Sequence, residues 1–217
     1  MRSGLPRVVE VALAAIGLAA AAPLILVAGG VVVVTSGLPV FFRQKRVGRG
    51  GRLFTLIKLR SMRSSRGGPQ VTARGDSRVT PFGRLLRRSK LDELPELWNV
   101  LRGEMSFVGP RPEVPEYVDP VNPLWAKVLR ARPGLTDPMT VSLRNEESLM
   151  AGVEGDKEAF YRRVLQPLKL QGYCEYLDRR SWKTDLGVLW QTGLAIVLQT
   201  RPPEGGPLAG AERPPGP

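Results

Sequence analysis

Arg87-Arg88-Ser89-Lys90-Leu91-Asp92-Glu93-Leu94-Pro95-Glu96-Leu97-Trp98-Asn99-Val100-Leu101 sets two adjacent carboxylates at the end of a strongly basic run. Between Arg43 and Lys90 stand fifteen lysines and arginines against one acid, Asp76. Pro95 is tolerated in the first turn of a helix and not in its middle, so the pattern predicts a helix starting near Glu93–Pro95. Leu94, Leu97, Trp98 and Leu101 then recur at helical spacing and predict one core-facing side. Asp92 and Glu93 would lie beside the helix N-terminus, where the dipole favours an ionised acid. An ionised Asp can act as a nucleophile, and a neighbouring Glu can hold a metal or a proton. Helix capping is the plainer reading, because Ser89 and Asp92 have capping-box spacing. The dyad alone favours capping; its surroundings decide.

A chain of 217 residues has room for one domain with a core, or for one domain and an anchoring segment. Its net charge of +12 is unevenly placed: residues 43–90 carry +14, those before them +1 and those after them −3. A basic block of that size implies an anionic partner, whether nucleic acid, anionic lipid or a phosphorylated substrate. The sequence has no histidine, which excludes a histidine base, triad or metal ligand. Its one cysteine, Cys174, excludes an internal disulfide and a cysteine-rich zinc site.

Residues 11–42 form 32 consecutive uncharged positions rich in Ala, Val, Leu and Ile. Roughly 20 apolar residues span a bilayer, so this run predicts membrane contact. It is longer than the ~7–15 residues of a signal-peptide core, which argues against cleavage. Pro23 stands near its centre and predicts a kink. Arg2 and Arg7 precede the run, and Arg43, Lys45 and Arg46 follow it. Basic flanks at both ends suit a hairpin that re-enters the same face. A straight single pass with an incidental proline fits the composition equally well.

Beyond the run, residues 39–44 and 53–60 read as two strands around the glycine-rich turn 47–52, a hairpin. On the second strand Thr55, Ile57 and Leu59 share one face, and Leu56, Lys58 and Arg60 the other. Residues 61–80 are polar and read as a mobile loop. Residues 81–88 form an amphipathic, basic helix suited to a membrane interface or to an ordinary surface. Gly103 is a helix stop. Pro110 and Pro112 stiffen the chain around Arg111, whose guanidinium suits bidentate contact with phosphate oxygens. Residues 160–165 and 168–177 read as helices. Residues 184–197, with Asp185 inside, read as a packed or interfacial helix, not a spanning one.

Phe42-Arg43-Gln44 with Arg46-Val47-Gly48, Phe54 with Lys58-Leu59-Arg60-Ser61-Met62, the stretch Leu91–Leu101, and Met105-Ser106-Phe107-Val108-Gly109-Pro110-Arg111-Pro112 follow in an order that resembles the bacterial sugar transferases. These are the monotopic phosphoglycosyl transferases that prime surface-glycan assembly. The resemblance extends to about Val197 and is to the small members, which have one membrane segment. It implies transfer of a sugar-1-phosphate from a nucleoside diphosphate sugar, such as a UDP-sugar, to undecaprenyl phosphate, with release of the nucleoside monophosphate. It also implies that Asp92 is the nucleophile, that Glu93 is tied to Mg²⁺ with Asp92 as a possible co-ligand, and that Lys58, Arg60, Arg87 and Arg111 surround the phosphates. The family's membrane helix breaks at a Ser-Pro pair; here Ala22-Pro23 stands in that place. Many members continue after the Arg132–Thr136 turn with a Gly-Trp-Ala-Gln-Val-Asn-Gly-Arg stretch that Asp137–Glu147 replaces, which puts the choice of sugar in doubt.

The expected fold is mixed α/β. Residues 1–38 form a re-entrant helix-break-helix in the cytoplasmic membrane. Residues 39–200 form a small cytoplasmic catalytic domain with a short β-hairpin and interfacial amphipathic helices, aided at the surface by anionic lipids. Residues 201–217 form a disordered Pro/Gly-rich tail. Two rivals come from other classes. A tethered nucleic-acid binder would need aromatics or a base-reading module among the arginines, and none is evident. An inactive scaffold fits poorly with intact Asp92, Glu93 and Arg111.

Overall fold

The computed structural model describes residues 4–63, 73, 75–143 and 146–198. The apolar run forms a single helix, α1 (Arg7–Ser36), and Pro23 stands inside it without dividing it in two. One proline removes one backbone bond, and the apolar turns on either side continue the helix. The expected helix-break-helix is therefore replaced by an undivided 30-residue helix, about 45 Å long at 1.5 Å per residue. Only a narrow stripe of it is covered: Glu10, Ala14, Ala28, Gly29 and Val32 are buried. Val8, Ile16, Leu26, Val27 and Val34 are among its exposed apolar residues.

The predicted hairpin is present. β1 (Phe41–Val47) pairs antiparallel with β2 (Leu53–Leu59) in a register running from Phe41↔Leu59 to Val47↔Leu53. The turn between them places Gly50 and Gly51 at φ +67 and +75, where a Cβ is unfavourable. Both faces of β2 are covered. Leu56 packs with Ala14, Phe54, Val100 and Met105, and Leu59 packs with Ala28, Val32 and Leu86. Each such leucine contributes about 2 kcal/mol by burial. The base of the predicted loop is tied, since Met62 bridges Val79 and Thr80 N donates to Ser61 O at 3.1 Å. Its tip, residues 64–72 and 74, lies outside the described residues, as does the tail 201–217.

α2 (Pro81–Arg88) is capped by Thr80, whose Oγ1 accepts from Gly83 N at 2.9 Å. It buries Leu86 and exposes Arg84 and Arg88. α3 (Glu96–Leu101) starts later than predicted, and its buried side is Glu96, Leu97, Asn99 and Val100. Trp98, expected in the core, is 47% exposed. The helix is rotated because Asn99 reaches β2, where Oδ1 accepts from Ile57 N at 3.3 Å and Nδ2 donates to Thr55 O at 2.8 Å.

β3 (Ser106–Val108) pairs parallel with β4 (Gly134–Thr136). α4 (Pro123–Val128), α5 (Pro138–Ser142) and α8 (Gln166–Arg179) enclose a core of Trp125, Val128, Met139, Leu143, Leu170 and Tyr173. α6 (Glu146–Ala151) precedes α7 (Lys157–Phe160), which continues through a π turn at Tyr161–Leu165 into α8. α9 (Trp182–Leu198) turns Asp185 and Val188 inward and leaves Trp182, Leu186, Trp190, Leu194 and Val197 exposed along one face.

Candidate active site

The chain enters the acidic dyad through an unusual backbone. Lys90 has φ 58, in the left-handed region, and Leu91–Glu93 then form a single 3-10 turn. Ser89 closes α2 instead of capping α3, because its Oγ donates to Leu85 O at 2.8 Å and Leu86 O at 3.2 Å. The cap position of α3 is Pro95, with no side-chain cap bond. The capping reading of the dyad is thereby overturned. Asp92 is buried, and its Oδ1 has no hydrogen-bond partner among the described residues.

Three cations converge on one oxygen of Glu93. Arg111 Nη2 stands 2.6 Å from Oε1, Lys58 Nζ 3.0 Å and Lys90 Nζ 3.5 Å. Lys58 is shared, its Nζ lying 3.0 Å from Oε1 of buried Glu96 at ion-pair distance without hydrogen-bond alignment. Arg111 is aimed by its backbone: Gly109 N donates to Thr136 O and Gly134 N to Pro110 O, each at 3.0 Å. A Cβ on Gly109 would meet Arg132 O at 2.5 Å, so only glycine permits this close crossing. Arg111 Nη1 also donates to Leu135 O at 3.3 Å.

The three carboxyls are not shifted alike. Burial, reinforced by the neighbouring Glu93, pushes the Asp92 carboxyl up. Burial also works against the Glu93 charge, yet Arg111, Lys58 and Lys90 hold its carboxyl well below the usual range. Glu96 is pushed up by burial. The expectation that a helix dipole keeps Asp92 ionised is corrected: the dyad lies in a separate turn, and desolvation outweighs the nearby charges.

The other predicted residues are divided. Arg60 does not join the cluster around Glu93. It is buried, and its guanidinium donates to Ser36 O at 2.6 Å, to Leu38 O at 3.0 Å and to Gly37 O, closing the end of α1. Arg87 pairs with Glu147 of α6 and approaches Met62 Sδ at 3.2 Å, while its charge still reaches Asp92. Pro23 belongs to α1. Lys90 and Glu96 were not expected in the site. Glu96 carried a signal, an acid at the first position of α3 beside Pro95; the left-handed turn that brings Lys90 to Glu93 had none.

For a divalent cation, the free oxygens matter. Asp92 Oδ1 is buried without a hydrogen-bond partner, whereas Glu96 Oε1 is ion-paired with Lys58 at 3.0 Å and Glu93 Oε1 is taken by three cations. Among the described residues, no group of three acidic, histidine or cysteine side chains could hold a metal by itself. Mg²⁺ commonly takes one or two carboxylates and completes its shell with phosphates and water, and Asp92 fits that role.

Comparison with known proteins places the chain in a family. The UDP-glucose:undecaprenyl-phosphate glucose-1-phosphate transferase of Caulobacter vibrioides is 47% identical over 201 residues, covering 90% of this chain and 68% of that protein. The transferase of the same name from Xanthomonas campestris pv. campestris is 49% identical over 197 residues, 86% of this chain and 37% of its own length. The exopolysaccharide production protein ExoY of Sinorhizobium fredii is 36% identical over 206 residues, 87% of this chain and 84% of its own. Residues 1–199 match the profile of the bacterial sugar transferases, and the chain belongs to that family.

Proposed function

We propose that this protein transfers a sugar-1-phosphate from a UDP-sugar to undecaprenyl phosphate at the cytoplasmic face of the bacterial inner membrane, releasing UMP. The observation that carries this reading is the Asp92–Glu93 pair: one buried carboxylate oxygen without a partner stands beside a second carboxylate ringed by three cations. An Asp92 oxygen attacks the sugar-linked phosphorus, the pyrophosphate P–O bond breaks, and UMP leaves with the electron pair. The acceptor phosphate then attacks the same phosphorus and returns the Asp92 carboxylate. Arg111 and Lys58 neutralise charge on the phosphates, which an anionic nucleophile could not otherwise approach. Mg²⁺, held by Asp92 together with the substrate phosphates, would add a Lewis acid at the pyrophosphate.

The placement of α1 supports a lipid acceptor and a re-entrant topology. Its start is tied down by Leu5 N on Asp185 Oδ2 at 3.0 Å, by Arg7 on the Val100 and Met105 carbonyls, and by Glu10, which accepts from Ser106 Oγ and Phe107 N. Its end is tied down by Arg60. A helix that crossed the ~30 Å hydrocarbon layer would carry one end away from the catalytic body. Both ends rest on that one body, which favours an α1 held at one face of the bilayer over one that crosses it.

The test is a release assay with purified enzyme, undecaprenyl phosphate, Mg²⁺ and a panel of UDP-sugars, with Asp92→Asn as the blank. UMP appearing with one sugar and absent from the blank is the expected result. No nucleotide release across the panel, from folded protein and with other nucleotides tried, would overturn the reading in favour of a scaffold.

A further inference from the structure

The three cations on Glu93 are not equivalent. Lys58 is divided between Glu93 and Glu96 at 3.0 Å each, and its side chain is only 17% exposed. Arg111 is fixed by Glu93 and by the Leu135 carbonyl. Lys90 stands furthest off at 3.5 Å, makes no other ion pair or side-chain hydrogen bond among the described residues while its charge also reaches Asp92, and its side chain is 46% exposed. It is also the one non-glycine residue with positive φ among the described residues, a conformation that disfavours any side chain with a Cβ. Such a backbone persists where its surroundings impose it, and here it aims an ammonium at the rim of the site.

The flanks of Lys90 indicate what that rim faces. Leu86 and Leu91 pack with Ala28 and Val32, on the half of α1 that leads out to Ser36. Arg111 is carried instead by the β3–β4 side of the domain, where Val108 packs on Tyr176, Leu177 and Val188 of α8 and α9. Lys90 is thus the exposed, least engaged cation of the cluster, mounted on the elements that rest against the apolar helix. A phosphate monoester carries about −1.5 to −2 at neutral pH. To come up to Asp92 and Glu93 it needs a cation with donors to spare, and a lysine has three on a flexible stem.

We propose that Lys90 is the first contact of the lipid acceptor's phosphate, meeting the headgroup of a prenyl chain that arrives along α1 and leading it to Asp92. This rests on the transfer reaction proposed above and names the residue that receives its second substrate. The donor pyrophosphate offers the same chemistry, so the test separates the two.

Full-length enzyme would be assayed two ways: exchange of labelled UMP into UDP-sugar without acceptor, which reports the donor half alone, and the KM for undecaprenyl phosphate in complete turnover. Lys90→Gly removes the charge and suits φ +58, so folding is not at risk; Lys90→Gln removes the charge and keeps a Cβ; Lys90→Arg keeps the charge. Loss of a charge-assisted phosphate contact should raise the acceptor KM roughly tenfold to a hundredfold in the Gly and Gln variants. The Arg variant should stay within about threefold of wild type in both assays, and in the Gly and Gln variants exchange, which the lost charge beside Glu93 also touches, should fall several-fold less than the acceptor KM rises. Exchange falling in step with turnover would assign Lys90 to the donor and overturn the proposal, and an unchanged acceptor KM would leave it a solvated ion. A wild-type enzyme that neither exchanges nor transfers would instead overturn the reaction itself.

Discussion

Arg111 Nη2 stands 2.6 Å from Glu93 Oε1, joining the loop after β3 to the turn before α3. The pair brings a fork of donors to the mouth of a site whose other walls come from β2 and α3. Glu93 holds Arg111 ready, and a phosphate would share it. Arg111→Ala should therefore lower kcat/KM by about two orders of magnitude, the effect of removing one preorganised donor at a developing charge. Membrane association should be unaltered, and a variant found in the soluble fraction would mark the role as structural.

Arg60 should behave in the opposite way. Its guanidinium satisfies the Ser36 carbonyl that ends α1 and the Gly37 and Leu38 carbonyls just beyond it, which no helical N–H reaches. Arg60→Ala leaves those groups unpaired and should lower stability by about 2–3 kcal/mol. Lys58, on the same strand, would be little disturbed. The expected signature is a depressed thermal midpoint with KM for the UDP-sugar near wild type; a raised KM at unchanged stability would return Arg60 to the phosphate site.

Asp92→Asn should abolish turnover and raise stability together. The Asp92 pKa is raised by burial, so the folded protein bears a penalty for the charged form above that pKa. This penalty fades as pH falls through the folded value and is gone below the unfolded value of about 3.9. Replacement by the neutral amide should lift the thermal midpoint at pH 7 by roughly 2–4 °C, the shift ~1 kcal/mol makes in a domain of this size. The gain should shrink on acidification. A variant less stable than wild type at pH 7 would contradict the burial penalty.

The topology of α1 should depend more on its polar ties than on Pro23. Cys174 is buried, so single cysteines introduced near the N-terminus and at Arg43 can be labelled selectively. Pro23→Ala should leave both positions reactive from the same side of sealed vesicles. Glu10→Ala removes the acceptor of Ser106 Oγ and Phe107 N and should free the N-terminal end. Opposite-side labelling in Pro23→Ala alone would show that the proline, and not the ties, sets the topology.

Part of the fold was legible along the chain, where an element follows from local pattern. An uncharged run of 32 residues, an alternating strand pair around Val47–Arg52 and the amphipathic stretch 81–88 carry their geometry in their spacing, whereas the short elements β3, β4 and α4–α6 were not legible. The dyad helix was misread by a few residues. Pro95 marks a helix start, but it does not say that a 3-10 turn precedes it, nor that Asn99 will rotate the helix by bonding to β2. Of Leu94, Leu97, Trp98 and Leu101, Leu97 and Leu101 do face the core, and Trp98 is the one turned outward.

Residue types and order by themselves determined the chemistry available: carboxylates and guanidinium groups without histidine, next to a long apolar segment. Which charges meet was decided only by the tertiary structure. Lys58 and Arg60 lie two positions apart on one strand end, yet one faces Glu93 and the other the end of α1. Arg111 reaches the dyad because Gly109 and Gly134 let two backbones cross at contact distance. Lys90 reaches it through a left-handed turn. Ion pairing depends on separations of a few ångströms between parts of the chain far apart in sequence; burial works against the charge on both Asp92 and Glu93, and only the cations gathered on Glu93 turn its shift the other way. Neither quantity is written in local spacing.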